Sequence, residues 1–216
     1  MLPLMTLLKI APAAALALGV GLVASACSSK PEPPQAFVML VMSASQAMPG
    51  MCVGYPSDTT IMQVGEPGNP NALPKATQPT RISTGVQSVQ IVCTVHPTGS
   101  TYDVNLEISQ GDMGMGSSSL TVVATNVDPT TGAMNVNGNV SNSRAGDYSS
   151  SACTISFNTP GTGASPAGSP VEPGRIWAHL SCGEATNSAI TTGLGAGSGP
   201  STCDAEVDFI FENCNM

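Results

Sequence analysis

Charged and aromatic residues are scarce in this sequence. Of its 216 residues, 9% are charged and 4% are aromatic, with one Trp and two His. Surface helices draw on Glu, Lys, Ala and Leu, and no amphipathic helical pattern occurs after residue 27. The polar surface must therefore come mainly from Ser, Thr, Asn and backbone groups in Gly-rich loops, which is typical of β-sheets and turns.

Basic residues and catalytic motifs are scarce as well. Six Lys and Arg stand against fourteen Asp and Glu, so the net charge is −8 at pH 7. Such a surface repels a phosphate backbone, and nucleic acid is not expected as a partner. No G-x-S-x-G elbow, H-E-x-x-H helix or C-x-x-C pair occurs, which argues against common hydrolase, zinc and redox centres. We expect no catalytic residue, metal or cofactor.

Residues 1–26 have the three parts of an export signal. A short start carries Lys9, an apolar run extends from Ile10 to Val23, and small residues follow. An uncleaved membrane anchor is the alternative, but the run is shorter than the ~20 residues that span hydrocarbon and contains Pro12. A cleaved signal peptide is therefore predicted.

The segment Ala24-Ser25-Ala26-Cys27 resembles the lipobox of bacterial lipoproteins. The resemblance implies that Cys27 becomes the first residue and carries acyl chains such as palmitate, which anchor the protein in a membrane. Ser28 in the next position implies an outer-membrane destination. Ordinary secretory cleavage after small residues is the alternative and would release a soluble protein. The chain has seven cysteines, and lipidation of Cys27 leaves six that can pair completely, which favours the lipoprotein.

The six cysteines after Cys27 are predicted to form three disulfides, because the cell envelope is oxidising. They are Cys52, Cys93, Cys153, Cys182, Cys203 and Cys214. Their connectivity is not decided by the sequence. One bridge is predicted, Cys182–Cys203, because these residues end and begin the last two predicted strands, which would meet as antiparallel neighbours.

Segments with period-two alternation are predicted to be β-strands. The clearest signal is a hairpin with strands at 87–96 and 102–109 around a Pro/Gly turn, and a second hairpin joins Ser119–Val127 to Ala133–Val140. The other predicted strands are Ala36–Ala44, Thr59–Val64, Ala152–Asn158, Arg175–Cys182 and Ala205–Glu212. About nine short strands predict an all-β fold, an antiparallel β-sandwich, with a partly closed barrel as the second choice.

The mature chain is predicted to hold one domain. Cys27 and the Pro-rich segment up to Gln35 form a tether, since its prolines favour an extended conformation. Residues 36–216 form a single domain, because the segments on either side of the Pro/Gly/Ser-rich loop from Thr159 to Pro173 hold too few strands to bury a core alone.

Arg175, Trp177 and His179 alternate along one face of a predicted strand. The only Trp of the chain, beside a cation and an imidazole, is a candidate platform for a sugar or a peptide. The more common arrangement is a Trp covered by a neighbouring loop, or a strand that is buried on both faces.

Two further patterns are weak candidates for metal sites. Four acidic residues alternate along the last predicted strand: Asp204, Glu206, Asp208 and Glu212. Alternate residues lie ~7 Å apart, too far for adjacent carboxylates to share one ion, so a solvated outer face is expected, on a strand at the sheet edge. Met113 and Met115 have the M-x-M spacing of periplasmic copper binders, but with no third ligand nearby a hairpin tip is expected.

These features favour a lipid-anchored protein of the cell envelope, with a non-catalytic β-sandwich that serves a structural or binding role. An envelope glycan or protein is the candidate partner. The alternative is an envelope polysaccharide hydrolase, since its two carboxylates need not be close in sequence. A hydrolase requires a cleft with two facing carboxylates, whereas a binding module presents a flat or loop-rimmed face.

Overall fold

A computed structural model of the protein describes residues 31–44, 52, 58–68, 78–112, 116–143, 146–157, 169–187 and 201–216. These residues all belong to one compact unit, Pro31–Met216. They form strands, turns and bends, and none of them is helical. No stretch of this described chain makes a helix long and apolar enough to cross a membrane. The predicted signal peptide, Cys27, Met113 and Met115 lie outside the described residues.

Eleven strands follow one another along the described chain. They are β1 (Gln35–Ala44), β2 (Thr59–Val64), β3 (Ile82–Ser83), β4 (Val89–Thr98), β5 (Thr101–Gln110), β6 (Ser118–Val127), β7 (Ala133–Asn142), β8 (Gly146–Ser156), β9 (Val171–Glu172), β10 (Arg175–Asn187) and β11 (Ser201–Glu212). Nine of them make one antiparallel sheet in the order β2-β1-β11-β10-β8-β7-β6-β5-β4, while the short strands β3 and β9 pair with β1 and β10. The predicted all-β antiparallel class is confirmed.

The sheet curls until its two edges are nearly closed, as in a barrel. Near the β2 edge, the Ser118 hydroxyl of β6 donates to the Ile61 carbonyl of β2 at 2.9 Å. Along the β4 edge, the Val95 amide donates to the Asn215 carbonyl at 2.9 Å, and the Asn215 amide donates to the Cys93 carbonyl at 3.0 Å. The curled sheet therefore corresponds to the partly closed barrel that was the second predicted architecture.

The core lies on the inner face of the curled sheet. In β4, the inward residues Val89, Ile91, Cys93 and Val95 are each at most 4% exposed, whereas Val92 between them is 63% exposed. The period-two alternation predicted for this hairpin is thus the pattern of burial. Because a buried Val or Ile side chain stabilises by ~1.5–3 kcal/mol, this alternation fixes which face of each strand points inward.

Three disulfides stabilise the sheet, as predicted. They join Cys52 to Cys203, Cys93 to Cys214, and Cys153 to Cys182. All six cysteines are at most 7% exposed. Two of the bridges span long separations, 151 and 121 residues, and therefore tie the first half of the described chain to its C-terminal end.

The predicted Cys182–Cys203 bridge is wrong, although β10 and β11 do pair antiparallel. Both strands extend beyond their predicted ends, so Cys182 lies opposite Ala205, and Cys203 lies opposite Ala185. Cys182 instead faces Cys153 on β8, the neighbour of β10 on its other side, with a Cα–Cα distance of 4.2 Å. The error came from placing both cysteines at strand ends.

Candidate functional site

The outer face of β1, β11 and β10 carries the residues singled out from the sequence. Residues that alternate with them, such as Val207 and Phe209 of β11 and Leu180 of β10, are buried in the core. Two rows of outward side chains cross the three strands: Phe37, Ile210 and Trp177 in the first row, and Met39, Asp208 and His179 in the second. Strand pairing therefore brings together residues that are far apart in the sequence.

Trp177 is covered. It is 2% exposed and packs with Phe37 and Ile210 in a small apolar cluster on this face. The Arg81 guanidinium lies 6.0 Å from the centre of the ring and is held by an ion pair with Glu212 at 3.0 Å. Trp177 thus takes the more common of its two predicted arrangements, and the open aromatic platform is not formed in this conformation.

Arg175 points toward a different partner. One of its guanidinium nitrogens lies 3.3 Å from the Glu172 carboxylate and donates to the Ser169 carbonyl at 3.0 Å. The three candidate residues share a face, as their spacing predicted, but they do not converge on one site. Arg175 contacts the segment just before its own strand, and Trp177 is buried. His179 belongs to an acidic cluster with Glu206 and Asp208.

His179 lies between two carboxylates. Its Nδ1 is 2.8 Å from Asp208 Oδ1, and its Nε2 is 2.7 Å from Glu206 Oε2. Two carboxylate acceptors require a proton on each ring nitrogen, so the imidazole is held as the cation. The hydrogen bond to Asp208, and next the one to Glu206, raise the pKa of His179 from 6.5 to about 9, against the opposing effect of burial.

The cluster continues to a serine. The Ser181 hydroxyl donates to the second oxygen of Glu206 at 2.8 Å, so a chain of hydrogen bonds runs from Asp208 through His179 and Glu206 to Ser181. In a nucleophilic triad, the serine is hydrogen-bonded to an imidazole that can accept its proton. Here both imidazole nitrogens are hydrogen-bonded to carboxylates, so neither can accept the proton of Ser181. The hydrogen bonds instead join β10 to β11.

The acidic residues lie on the outer face, as expected, and the Glu206 side chain is 43% exposed, but Asp208 is not solvated and the strand is not at the sheet edge. β11 lies between β1 and β10 within the sheet, and Asp208 is only 6% exposed. Glu212 pairs with Arg81, and Asp204 accepts a hydrogen bond from the Glu184 amide at 3.1 Å. Strand order depends on pairings between distant segments, and the sequence carries no local signal for it.

The acidic cluster is not arranged to bind a metal. Asp208 and Glu206 contact opposite nitrogens of the His179 ring, so the three groups cannot converge on one ion. Within the described ranges, no set of three or more His, Cys, Asp or Glu side chains is placed to hold a metal ion.

A polar groove on the same outer face was missed by the sequence analysis. It lies across β7, β8 and β10, has a volume of about 500 Å³, and includes Asn137, Asn139, Ser149 and Glu184 among its lining residues. The run Ser149-Ser150-Ser151 breaks the alternation expected of a strand, which is the one signal that pointed to an irregularity there. The groove offers amide and hydroxyl groups to a ligand.

In comparisons with protein-family models, with curated protein sequences and with solved structures, the chain finds no match.

Proposed function

We propose that this protein is an exported lipoprotein, anchored in the outer membrane through a lipid on Cys27, whose disulfide-bonded β-domain is a binding module of the cell envelope. The observation that carries the proposal is the pairing of six of the seven cysteines with one another. This pairing leaves Cys27 as the cysteine for lipidation. Structural disulfides of this kind form in oxidising compartments such as the bacterial envelope.

The start of the domain supports an anchor close by. The first strand begins at Gln35, and the residues from Pro31 to Pro34 before it belong to no strand. The Asn213 side chain donates to the Pro33 carbonyl at 3.2 Å and so attaches this segment to the C-terminal end of the domain. A short tether would therefore hold the domain near the membrane surface.

The distribution of carboxylates supports binding over hydrolysis. Glycoside hydrolysis uses two carboxyl groups that face each other across the scissile bond, ~5–9.5 Å apart. Of the described residues that line the polar groove, Glu184 is the one that carries a carboxylate. Glu206 and Asp208 are instead bridged by the charged imidazole of His179, which keeps both of them engaged.

The anchor is tested by replacing Cys27. In the native host, we expect the wild-type protein to incorporate labelled palmitate and to sediment with the outer membrane. The Cys27→Ala variant is expected to lose the label and to leave the outer-membrane fraction, because it lacks the acyl chains. Ser28→Ala is the matched control and should keep the label. An unlabelled wild-type protein, or a Cys27→Ala variant that still carries label, would show the proposal to be wrong.

A further inference from the structure

The polar groove is formed by two β-bulges on neighbouring strands. The first bulge lies on β8, where the step from Ser150 to Cys153 faces the shorter step from Gly138 to Val136 on β7. Within the bulge, the Ala152 amide donates to the Ser150 hydroxyl at 3.2 Å, so a side chain supplies the hydrogen-bond partner of this backbone amide. A bulge bends its strand and redirects its side chains, and bulges often lie next to functional sites.

The second bulge lies on β10. The step from Cys182 to Ala185 faces the shorter step from Ala205 to Cys203 on β11. Within it, Glu184 has a φ of 57°, in the left-handed region that a residue with a Cβ adopts at a cost of ~1–2 kcal/mol. The Glu184 amide is held by the Asp204 carboxylate at 3.1 Å. This conformation places Glu184 at the groove.

The two bulges flank an interruption in the ladder between β8 and β10, next to the Cys153–Cys182 disulfide that joins these strands. β8 and β10 pair at Thr154 with Ser181 and again at Ser149 with Thr186, and the ladder is interrupted between these two positions. Backbone groups along an interrupted ladder require partners from side chains, water or a ligand. The groove therefore lies where the ladder between β8 and β10 is incomplete.

The chemistry of the groove selects among ligands. Asn137, Asn139, Ser149 and Ser151 are exposed and line it. Amides and hydroxyls both donate and accept hydrogen bonds, as the hydroxyls of a sugar do. Among the described residues that line it there is no Lys, Arg or aromatic side chain, and the Glu184 carboxylate repels anions. Its volume of about 500 Å³ falls in the ~300–1,000 Å³ range of small-ligand sites.

We infer that this groove binds a neutral oligosaccharide. The inference rests on the proposed function, because a binding module in the cell envelope is exposed to glycans, and it places the ligand away from the buried Trp177. Without an aromatic side chain to stack on a sugar ring, affinity comes from hydrogen bonds alone. We expect a dissociation constant on the order of 1 mM.

The test uses the mature, lipidated protein in detergent and saturation-transfer difference NMR. The probes are neutral tetrasaccharides of β-1,4-linked N-acetylglucosamine, β-1,4-linked glucose and α-1,4-linked glucose, with tetragalacturonate as the anionic probe. At least one neutral probe is expected to bind, and tetragalacturonate to bind more weakly. Replacing Asn137 and Asn139 together by alanine should weaken binding of that neutral probe by about tenfold, because side-chain hydrogen bonds are lost.

The matched control is Asn105→Ala, at an exposed asparagine on β5 outside the groove, and it should leave binding unchanged. The inference is overturned if no neutral probe binds at a concentration about ten times the expected dissociation constant. It is also overturned if tetragalacturonate binds as tightly as the neutral probes, or if the Asn105→Ala control loses as much affinity as the groove variant. None of these results affects palmitate labelling of Cys27, so failure of the groove and failure of the anchor are distinguishable.

Discussion

Replacing Cys52 and Cys203 together by alanine is expected to lower the free energy of unfolding by about 4 kcal/mol. The bridge joins residues 151 positions apart. With the Cys93–Cys214 bridge intact, its loss opens a loop of roughly 50 residues in the unfolded chain, and the entropy of that loop sets the magnitude. The measurement is urea unfolding of the purified protein under non-reducing conditions.

The control for this prediction is another cysteine replacement. Cys27→Ala removes the thiol that is proposed to carry the lipid. The free energy of unfolding of the β-domain should therefore change by less than about 0.5 kcal/mol. A Cys52→Ala/Cys203→Ala variant as stable as the wild type would show that this bridge does not constrain the fold. A large loss of stability in Cys27→Ala would show that Cys27 has a structural partner.

Replacing His179 by glutamine is expected to cost about 3–5 kcal/mol of stability near pH 6, because it leaves the buried Asp208 carboxylate without its counter-charge. The pKa of His179 is raised to about 9 in the folded protein, above its value of ~6.5 in an unfolded chain. Its stabilising effect is therefore complete below about pH 6.5 and is lost as pH rises through 9.

The measurement is the difference in unfolding free energy between wild type and His179→Gln across this pH range. It should shrink by roughly 2–3 kcal/mol from about pH 6 to about pH 9.5. Arg175→Ala on the same face is the matched control, and its ion pair with Glu172 is partly exposed. The control should cost less than about 1 kcal/mol. A pH-independent difference for His179→Gln would contradict the charged imidazole.

Local patterns in the sequence predicted the local elements of the fold. The β4 and β5 hairpin followed from the alternation of Val89, Ile91, Cys93 and Val95. Of the last two strands, the start of β10 at Arg175 and the end of β11 at Glu212 were correctly placed. β10 was predicted to stop at Cys182, because the bulge at Gly183 and Glu184 breaks its alternation. For the same reason, the serine run hid the first half of β8.

Contacts between distant segments could not be predicted from these patterns. The acidic residues of the last strand were visible, but their partners His179 and Arg81 depend on the position of β11 in the middle of the sheet. The disulfide partners Cys52 and Cys203 are likewise brought together by strand order. The polar groove arises from two bulges on adjacent strands, and the sequence of neither strand alone indicates it.

The intact mass of the mature protein, isolated from its native host under non-reducing conditions, tests the central claim most directly. We expect the mass of a chain that begins at Cys27, with the added mass of several acyl chains and the loss of six hydrogens for three disulfides. A chain that begins at Cys27 with an unmodified thiol, or one that retains free thiols among the other six cysteines, would contradict it.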